Sequence, residues 1–200
     1  MPPTWPEISM RRRRTRLTTA VALTLAYGAV LASCAAPRAK KELVYREQTP
    51  VRITEIHYSP SKEQGKGAEF IEIANVTKSS VDLSGWQVTG AKRLKLPTGT
   101  TLQPRETLVV CSNREVLRAL FRADAAAVFK GKLKSKETVR VEDPEGRVAD
   151  EVKYNAKNDQ AKRASNTGLS LHRRRVKSTD GQGIWNAKMP SPGRLRPRRS

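Results

Sequence analysis

The sequence contains few of the side chains that cross-link small exported domains or bind metals. It has two cysteines, Cys34 and Cys111, and two histidines, His57 and His172, among 200 residues. Two thiols cannot form the disulfide framework that small secreted domains use, and no cluster of cysteine and histidine has metal-ligand spacing. The sequence therefore predicts a fold that depends on its hydrophobic core, with no structural metal and no cofactor.

Acidic and aromatic side chains are also scarce. Asp and Glu number 19 against 39 Lys and Arg, which gives a formal net charge of +20, and aromatic residues make up 5% of the chain. Such a charge excess attracts nucleic acids, phosphorylated glycolipids and anionic membranes alike, so it indicates negatively charged partners without selecting among them. The scarcity of aromatic residues counts against a protein that stacks single-stranded bases.

No apolar run is as long as an ordinary membrane span. The longest uncharged stretch near the N-terminus has 17 residues, 17 to 33, and it follows a basic segment, residues 11–16, that contains five arginines. A membrane-spanning helix needs about 20 predominantly apolar residues. The pattern therefore predicts a helical signal peptide over residues 1–33, and a permanent transmembrane helix is the alternative.

The end of this stretch resembles the lipobox of bacterial lipoproteins. Leu31, Ala32 and Ser33 place an aliphatic residue and two small residues directly before Cys34. The resemblance implies cleavage between Ser33 and Cys34 and acylation of Cys34, so that lipid chains worth about 0.8 kcal/mol per methylene anchor the protein to a membrane. Ala35, which is not the Asp that retains some lipoproteins on the inner membrane, implies the outer membrane where the host has two. Secretion after a nearby cut and an uncleaved anchor are the alternatives.

Cleavage would leave most of the positive charge on the exported part. Residues 1–33 contain five arginines and one glutamate, so the formal charge falls only from +20 to +16. Residues 34–50 lack apolar periodicity and are predicted to form the lipidated cysteine and a flexible tether. A folded domain is predicted at 51–193 and a basic, disordered tail at 194–200.

The predicted domain is all-β. From residue 51 onward, short β-type runs alternate with turn residues at close intervals, which is typical of a sandwich or barrel. The predicted strands are Val51–Tyr58, Glu69–Asn75, Leu94–Leu96, Thr107–Cys111, Ala126–Phe129, Thr138–Glu142 and Val148–Tyr154.

Helical spacing occurs once, and two turns have clear signals. Residues 114–121 are predicted to form the single short helix. Residues 143–146, with the sequence Asp-Pro-Glu-Gly, predict the hairpin turn between the last two strands. Gly85 predicts a tight bend that delivers Trp86 into the core.

Several segments, in register, resemble the lamin tail domain in its bacterial form. The resemblance covers about residues 51–193 and implies an immunoglobulin-like β-sandwich. One segment departs from it, because residues 155–167 carry Lys157, Lys162 and Arg163 where bacterial members are usually richer in proline, tryptophan and acidic residues. The similar segments are ITEIHYSP at 53–60, EFIEIAN at 69–75, VDLSGW at 81–86, GTTLQP at 99–104, LVV at 108–110, DEVKY at 150–154, GLSL at 168–171, and Trp185 with PSPG at 190–193.

No set of nucleophile, base and orienting group is visible in the sequence. Glu69 and Glu72 alternate with apolar residues and are interpreted as strand residues rather than as a general acid and base. His57 lies in a predicted strand with no carboxylate or nucleophile beside it. Cys111 ends an apolar strand and is interpreted as a small buried hydrophobic residue. The sequence therefore predicts a protein that is not an enzyme.

Two groups of basic residues are the candidate anion-binding residues. Members of the first group are two positions apart, so they would point to one side if that segment is extended. The alternative is a solvated face whose edge lysines block pairing with other strands. The groups are Lys130, Lys132, Lys134 and Lys136, and Arg173, Arg174, Arg175 and Lys177.

Three functions are compatible with these patterns. The leading hypothesis is a non-enzymatic binding or scaffold module, exported to the cell envelope, held there by the lipid on Cys34 and using its basic surface for anionic envelope components such as lipopolysaccharide, or for an envelope protein. The second is an extracellular nucleic-acid-binding protein, in which Lys and Arg contact phosphates with steep salt dependence. The third, an accessory domain to a nuclease, is implied by the occurrence of lamin tail domains fused to nucleases.

Overall fold

A computed structural model describes residues 49–90, 93–174 and 185–194, all within one compact unit that spans Lys41–Ser200. The predicted signal peptide, Ser33, Cys34 and nearly all of the tether lie outside the described residues, as does the tail after Arg194. The secondary-structure elements are β1 (Val51–His57), β2 (Phe70–Asn75), β3 (Val81–Asp82), β4 (Gln87–Thr89), β5 (Leu94–Lys95), β6 (Thr101–Leu102), β7 (Thr107–Cys111), α1 (Arg114–Phe121), β8 (Ala127–Val128), β9 (Lys136–Glu142), β10 (Val148–Asn155), α2 (Asp159–Ala164), β11 (Ser170–Arg173) and β12 (Trp185–Lys188).

The strands form two main sheets and a small third one. The first sheet has the order β12-β11-β1-β2-β7-β8, the second has the order β10-β9-β4-β5, and β3 pairs with β6. Every pairing is antiparallel except that of β7 with β8. The predicted all-β sandwich is confirmed, because buried apolar residues of both main sheets share one core.

The strongest local signals predicted their elements closely. The strand at Thr107–Cys111 and the helix at Arg114–Phe121 have the predicted bounds. Asn113 begins that helix by accepting a hydrogen bond from the backbone N–H of Val116 at 3.1 Å, which satisfies a donor that the helix leaves unpaired. The hairpin turn is also confirmed, since the N–H of Gly146 donates to the carbonyl of Asp143 at 2.9 Å.

A second short helix, α2, corrects the prediction of a single helix. It has six residues and is too short to show apolar periodicity in the sequence. Packing stabilises it, because Ala161 and Ala164 are buried in the core and the carbonyl of Ala161 accepts a hydrogen bond from the Tyr58 hydroxyl at 2.5 Å. Tertiary contacts of this kind often outweigh intrinsic helix propensity in so short a segment.

The bend at residues 83–86 exists, but a different side chain enters the core. Gly85 has a φ of 74°, a conformation that glycine adopts without steric cost. Leu83 is fully buried, whereas Trp86 is only partly buried and packs against the outside of the core. The prediction that the bend delivers Trp86 into the core is therefore wrong, because the residue that the bend places in the core is Leu83.

A bulge in β1 decides which residues face away from the core. The register between β1 and β2 shifts between Ile53 and Glu55, so Ile53 and Ile56 both join the core although they are three positions apart. Glu55 and His57 lie on the other face of the sheet, where the polar cluster described below is found.

A second apolar cluster lies between the six-stranded sheet and α1. Phe70, Val109, Cys111, Leu117 and Ala123 form it. Cys111 has no exposed surface and is a free thiol, which confirms its interpretation as a buried hydrophobic residue. Burial is also the main reason that the pKa of its thiol is raised.

Candidate anion-binding site

The first predicted group of lysines lies beside the end of the four-stranded sheet. Lys130, Lys132 and Lys134 are in the loop after β8, Lys136 is the first residue of β9, and all four are exposed. The loop is held against the core by Leu133, which is 9% exposed. Residues 130–135 form a loop and not a strand, so the condition on which the predicted stripe of lysines depends is not met.

Strand register brings Lys136 next to residues from the neighbouring strand. In the pairing of β9 with β10, Lys136 lies opposite Asn155 and Thr138 lies opposite Lys153. Directly opposed residues have Cβ atoms about 5 Å apart and diagonal ones about 7–8 Å apart. Val152, which precedes Lys153, is buried, so these four side chains lie on the solvent face of the sheet.

A cleft of about 620 Å³ lies at this corner of the fold, and we call it the lysine cleft. Two candidate lysines contribute to it, and further residues of β9, residues of β10, Gly90 after β4 and Asn158 before α2 supply the rest of its wall. Its lining residues are Gly90, Lys134, Lys136, Glu137, Thr138, Lys153, Tyr154, Asn155 and Asn158.

The cleft carries an excess of positive charge. Lys153 Nζ lies 2.8 Å from Oε1 of Glu151, and Arg140 Nε lies 2.5 Å from Oε2 of the same carboxylate. Burial acts to raise the pKa of Glu151, but the hydrogen bonds from Lys153 and Arg140 outweigh burial and lower it, so this carboxylate stays ionised. Lys134 and Lys136 have no acidic partner within 4.0 Å among the described residues.

Acidic side chains are concentrated in the interior. Within the described ranges seven acidic residues are buried, whereas no lysine or arginine is buried as a whole residue, although the side chain of Arg173 is only 4% exposed. The surface is therefore more basic than the sequence composition indicates. The buried acidic residues are Glu55, Glu69, Glu72, Glu142, Asp143, Asp150 and Glu151.

Arg173 belongs to the interior and not to the basic surface, which corrects its assignment as a surface anion-binding residue. Its side chain is 4% exposed, and its guanidinium forms an ion pair with Asp150. Arg174, the next residue, is exposed. The remaining members of the second group, Arg175 and Lys177, lie outside the described residues. Strand alternation explains the difference, because Arg173 is the last residue of β11 and points toward the other sheet.

A buried polar cluster on the outer face of the six-stranded sheet contains a serine, a histidine and a glutamate. Ser170 Oγ donates to Glu55 Oε1 at 2.5 Å and lies 2.9 Å from His172 Nε2. The same Nε2 lies 3.0 Å from the carbonyl oxygen of Met189, and since a carbonyl only accepts, Nε2 carries a hydrogen. It therefore cannot take the proton of Ser170, and the three groups are not a nucleophilic triad.

The buried glutamates have a structural role instead. Glu55 accepts hydrogen bonds from the N–H of Ser191 at 3.0 Å and from its hydroxyl at 3.3 Å. Glu72 accepts from the N–H of Gly193 at 2.8 Å and from the hydroxyl of Thr54 at 2.5 Å. The two carboxylates thus hold the segment after β12 against the sheet. Glu72 satisfies a backbone donor, as strand residues of this kind do, and Glu69 accepts a hydrogen bond from the Ser112 hydroxyl at 2.8 Å.

The described ranges contain neither a candidate metal site nor a candidate membrane-spanning helix. No three His, Cys, Asp or Glu residues in them are placed to hold a metal ion. None of the helices in these ranges is long and apolar enough to cross a bilayer.

Several residues of the lysine cleft were not predicted from the sequence as binding residues. Lys153 and Thr138 belong to predicted strands, and Asn155 directly follows one of them. Counting outward from the hairpin turn at residues 143–146 would have misplaced their pairing, because the register shifts between Val148 and Asp150. Asn158 carried no signal, because it is positioned by α2.

Comparisons with known proteins give a similar structure and a family match. A bacterial structure described as a DUF4876 family protein from Bacteroides thetaiotaomicron is similar, with a TM-score of 0.44 and 13% identity over 72% of this chain and 69% of that one. No curated protein matches the chain. The model of the Lamin Tail Domain family matches residues 46–156, more than half of the chain and most of both sheets. The sandwich of two sheets and the matched segment lead to one conclusion, that this chain belongs to the lamin tail domain family.

Proposed function

We propose that this chain is a non-enzymatic binding module, anchored to a membrane outside the cytoplasm, whose basic surface holds anionic envelope components or proteins. The separation of charge carries the proposal, because seven acidic side chains are buried while the four lysines of the loop at 130–136 are exposed. Such a surface attracts anions through its overall field. Membership in the lamin tail domain family supports a binding or scaffold role, since that family is generally non-catalytic.

The anchoring part of the proposal depends on the N-terminal sequence. The arginines at 11–16, the uncharged stretch at 17–33 and the lipobox-like residues before Cys34 support export and acylation. Two or three acyl chains hold a protein durably on a membrane, whereas one chain gives only reversible binding.

Replacing Cys34 with alanine is expected to abolish membrane association. The full chain would be expressed in a bacterium that processes lipoproteins, and its intact mass and membrane fractionation would be measured. The wild type should begin at an acylated Cys34, and Cys34→Ala should lose both the lipid mass and the membrane fraction. Cys111→Ala is the matched control, since Cys111 is a buried core residue and its loss should leave the anchor in place. A wild type that stays unmodified in the cytosol would refute the anchoring.

Neutralising the loop lysines is expected to lower the affinity for polyanions. It should also make that affinity less dependent on salt concentration. The variant changes Lys130, Lys132, Lys134 and Lys136 to serine, and binding of heparin, lipopolysaccharide and duplex DNA would be measured over a range of salt concentrations. For DNA, the slope of log K against log salt should decrease by about 1 for each lysine that contacts a phosphate.

The control removes the same charge elsewhere. Lys62, Lys66, Lys78 and Lys188 are exposed residues outside the lysine cleft, and changing them to serine should affect binding much less. Equal losses in both variants, or a wild type that binds none of the three polyanions, would contradict the proposal. Selective retention of duplex DNA over the other two would favour the alternative, an extracellular nucleic-acid-binding protein or nuclease accessory domain.

A further inference from the structure

We propose that the lysine cleft is a discrete site for a phosphorylated saccharide, with lysine ammonium groups at the phosphate and neutral side chains at the sugar hydroxyls. This inference rests on the proposed function and deepens it, because it assigns one site and one ligand class to the basic surface. The phosphate would lie between Lys134 and Lys136 and beside Lys153, whose ammonium also pairs with Glu151; the loop after β8 and the β9–β10 pairing bring the three lysines to one cleft.

The cleft is open to solvent, and its extent is that of a small-molecule site. Its volume is about 620 Å³, and sites for small ligands have volumes of roughly 300–1,000 Å³. One or two phosphorylated sugar rings fit such a volume, whereas an extended polyanion would lie across the surface and need no cleft. Four of its lining residues form two directly opposed pairs at the corner of β9 and β10, Lys136 with Asn155 and Thr138 with Lys153.

The neutral side chains of the cleft present hydrogen-bond donors. Asn155 Oδ1 accepts from the N–H of Lys157 at 3.0 Å, so its remaining capacity is the amide NH₂ group, a donor. Asn158 precedes α2 but makes no side-chain capping bond, and it is exposed. The hydroxyl of Tyr154, another lining residue, is buried without a hydrogen-bond partner in the described part of the chain.

One acidic side chain in the cleft favours a ligand with hydroxyl groups. Glu137 lines the cleft, and its Oε2 accepts the N–H of Lys134 at 3.1 Å. A carboxylate repels a bare phosphate but accepts hydrogen bonds from sugar hydroxyls. The lining therefore combines cations for a phosphate with both donors and an acceptor for a polyhydroxylated group.

The lining also argues against a nucleotide. Binding of single-stranded nucleic acid uses exposed aromatic side chains on which bases stack. Tyr154 is the aromatic residue of the lining, and it is 6% exposed, with its ring packed 4.8 Å from that of Tyr58 between ring centroids. No stacking surface is thus available among the described lining residues.

The test compares ligands that can contact only the lysines, only the neutral side chains, or both. The full chain in neutral detergent would be titrated with glucose 1-phosphate, inorganic phosphate, glucose and adenosine monophosphate, with binding followed by calorimetry or NMR shifts. Glucose 1-phosphate should bind at least about tenfold more tightly than phosphate or glucose alone, because it engages both halves at once. A second arm uses a phosphorylated diglucosamine glycolipid in the same micelles, and tighter binding of the glycolipid would assign the source to a lipid headgroup.

Variants should affect the two halves differently. The double variant Lys136→Gln and Lys153→Gln should lower the affinity for glucose 1-phosphate and for inorganic phosphate alike, by about tenfold or more. Asn158→Ala should lower the affinity for glucose 1-phosphate and leave the affinity for inorganic phosphate unchanged. Lys62→Gln with Lys66→Gln, which removes the same charge from an exposed loop elsewhere, should change neither.

Three results would overturn the inference. They are equal affinities for glucose 1-phosphate and phosphate, tighter binding of adenosine monophosphate than of the sugar phosphate, and insensitivity to the paired lysine changes. In each case, heparin binding by the same samples shows whether the proposed function fails together with the saccharide site. Retained heparin binding would leave the proposed function standing and remove only the saccharide site, whereas its absence would remove both.

Discussion

Replacing Asp150 with alanine is expected to lower the free energy of unfolding by about 3–5 kcal/mol, the range for removing one partner of a buried ion pair. Asp150 and Arg173 each have side chains that are 4% exposed, and the pair links β10 of one sheet to β11 of the other. The change would leave a buried guanidinium without its counter-charge. It would also remove the acceptor of the Ile53 N–H, which donates to Asp150 Oδ2 at 2.8 Å.

The surroundings of Arg173 cannot replace the lost carboxylate. The guanidinium also donates to the carbonyl of Ile53 at 3.3 Å and lies 5.7 Å from the centre of the Trp185 ring. Its Nε and Nη2 atoms have no hydrogen-bond partner among the described residues. A buried charge with this few contacts depends strongly on the one carboxylate beside it.

Urea denaturation of three variants would measure the effect. Asp124→Ala is the matched control, since its partner Arg118 and Asp124 itself are 61% and 77% exposed, and an exposed pair contributes about 0–1 kcal/mol. Arg173→Met combined with Asp150→Ala should recover part of the loss, because it removes the unpaired charge. If Asp150→Ala lowers the free energy of unfolding as little as Asp124→Ala does, the prediction of a strongly stabilising buried ion pair is wrong.

The second large effect is a dependence of stability on pH that arises from Glu55. Burial raises the pKa of this carboxyl to about 7, with a smaller contribution from the nearby Glu72, although hydrogen bonds from Ser170 and Ser191 oppose the shift. The ordinary value is 4.5, so between the two values the folded chain holds a proton that the unfolded chain has released. Stability should therefore fall as the pH rises toward and past about 7.

The expected size follows from the shift. From about pH 5.5 to about pH 8.5, the wild type should lose about 2 kcal/mol of unfolding free energy through Glu55, at 1.36 kcal/mol per pKa unit. Glu55→Gln has no proton to release and should remove most of this dependence. The comparison is needed because the pKa of Glu72 is also raised by burial and His172 Nε2 lies 3.3 Å from Glu55.

Denaturation of each protein at both pH values provides the measurement. Glu115→Gln is the control, since Glu115 is exposed on the first turn of α1 and its change should leave the pH dependence of the wild type intact. A Glu55→Gln protein that keeps the full wild-type dependence would assign the effect to other groups.

The buried acidic residues connect stability with the proposed function. Glu55 and Glu72 are buried and form no ion pair with a lysine or arginine among the described residues, whereas Asp143 and Glu151 still pair with exposed basic side chains. Glu55 and Glu72 bind the segment after β12, and Asp150 joins the two sheets. The same side chains that hold the fold together therefore leave the outside basic, which is the property that an anion-binding module needs.

Local patterns in the sequence were sufficient for most of the fold. The strand at Thr107–Cys111, the helix at Arg114–Phe121 and the turn at residues 143–146 depend on residues close together in the chain, so alternation, helical spacing and turn residues predicted them. The resemblance to the lamin tail domain added the sandwich. Cys34 and the signal peptide remain predictions from sequence, outside the described residues.

Other features depended on contacts between distant residues. The helix α2 forms because Ala161 and Ala164 fill the core, which no pattern in six residues shows. Arg173 is counted with the basic residues in the sequence, but it lies inside the protein because the face of β11 that carries it meets Asp150. The lysine cleft exists because a loop and a strand pair meet, which a run of alternating lysines does not indicate.

The sequence by itself determined the total charge, the positions of seven of the strands and the family. Only the tertiary structure decided where each charge lies, which strands are neighbours and which lysines converge. The physical reason is that periodicity and turn chemistry act over a few residues, whereas burial of a carboxylate or the formation of a cleft depends on pairs as far apart as Ile53 and Asp150.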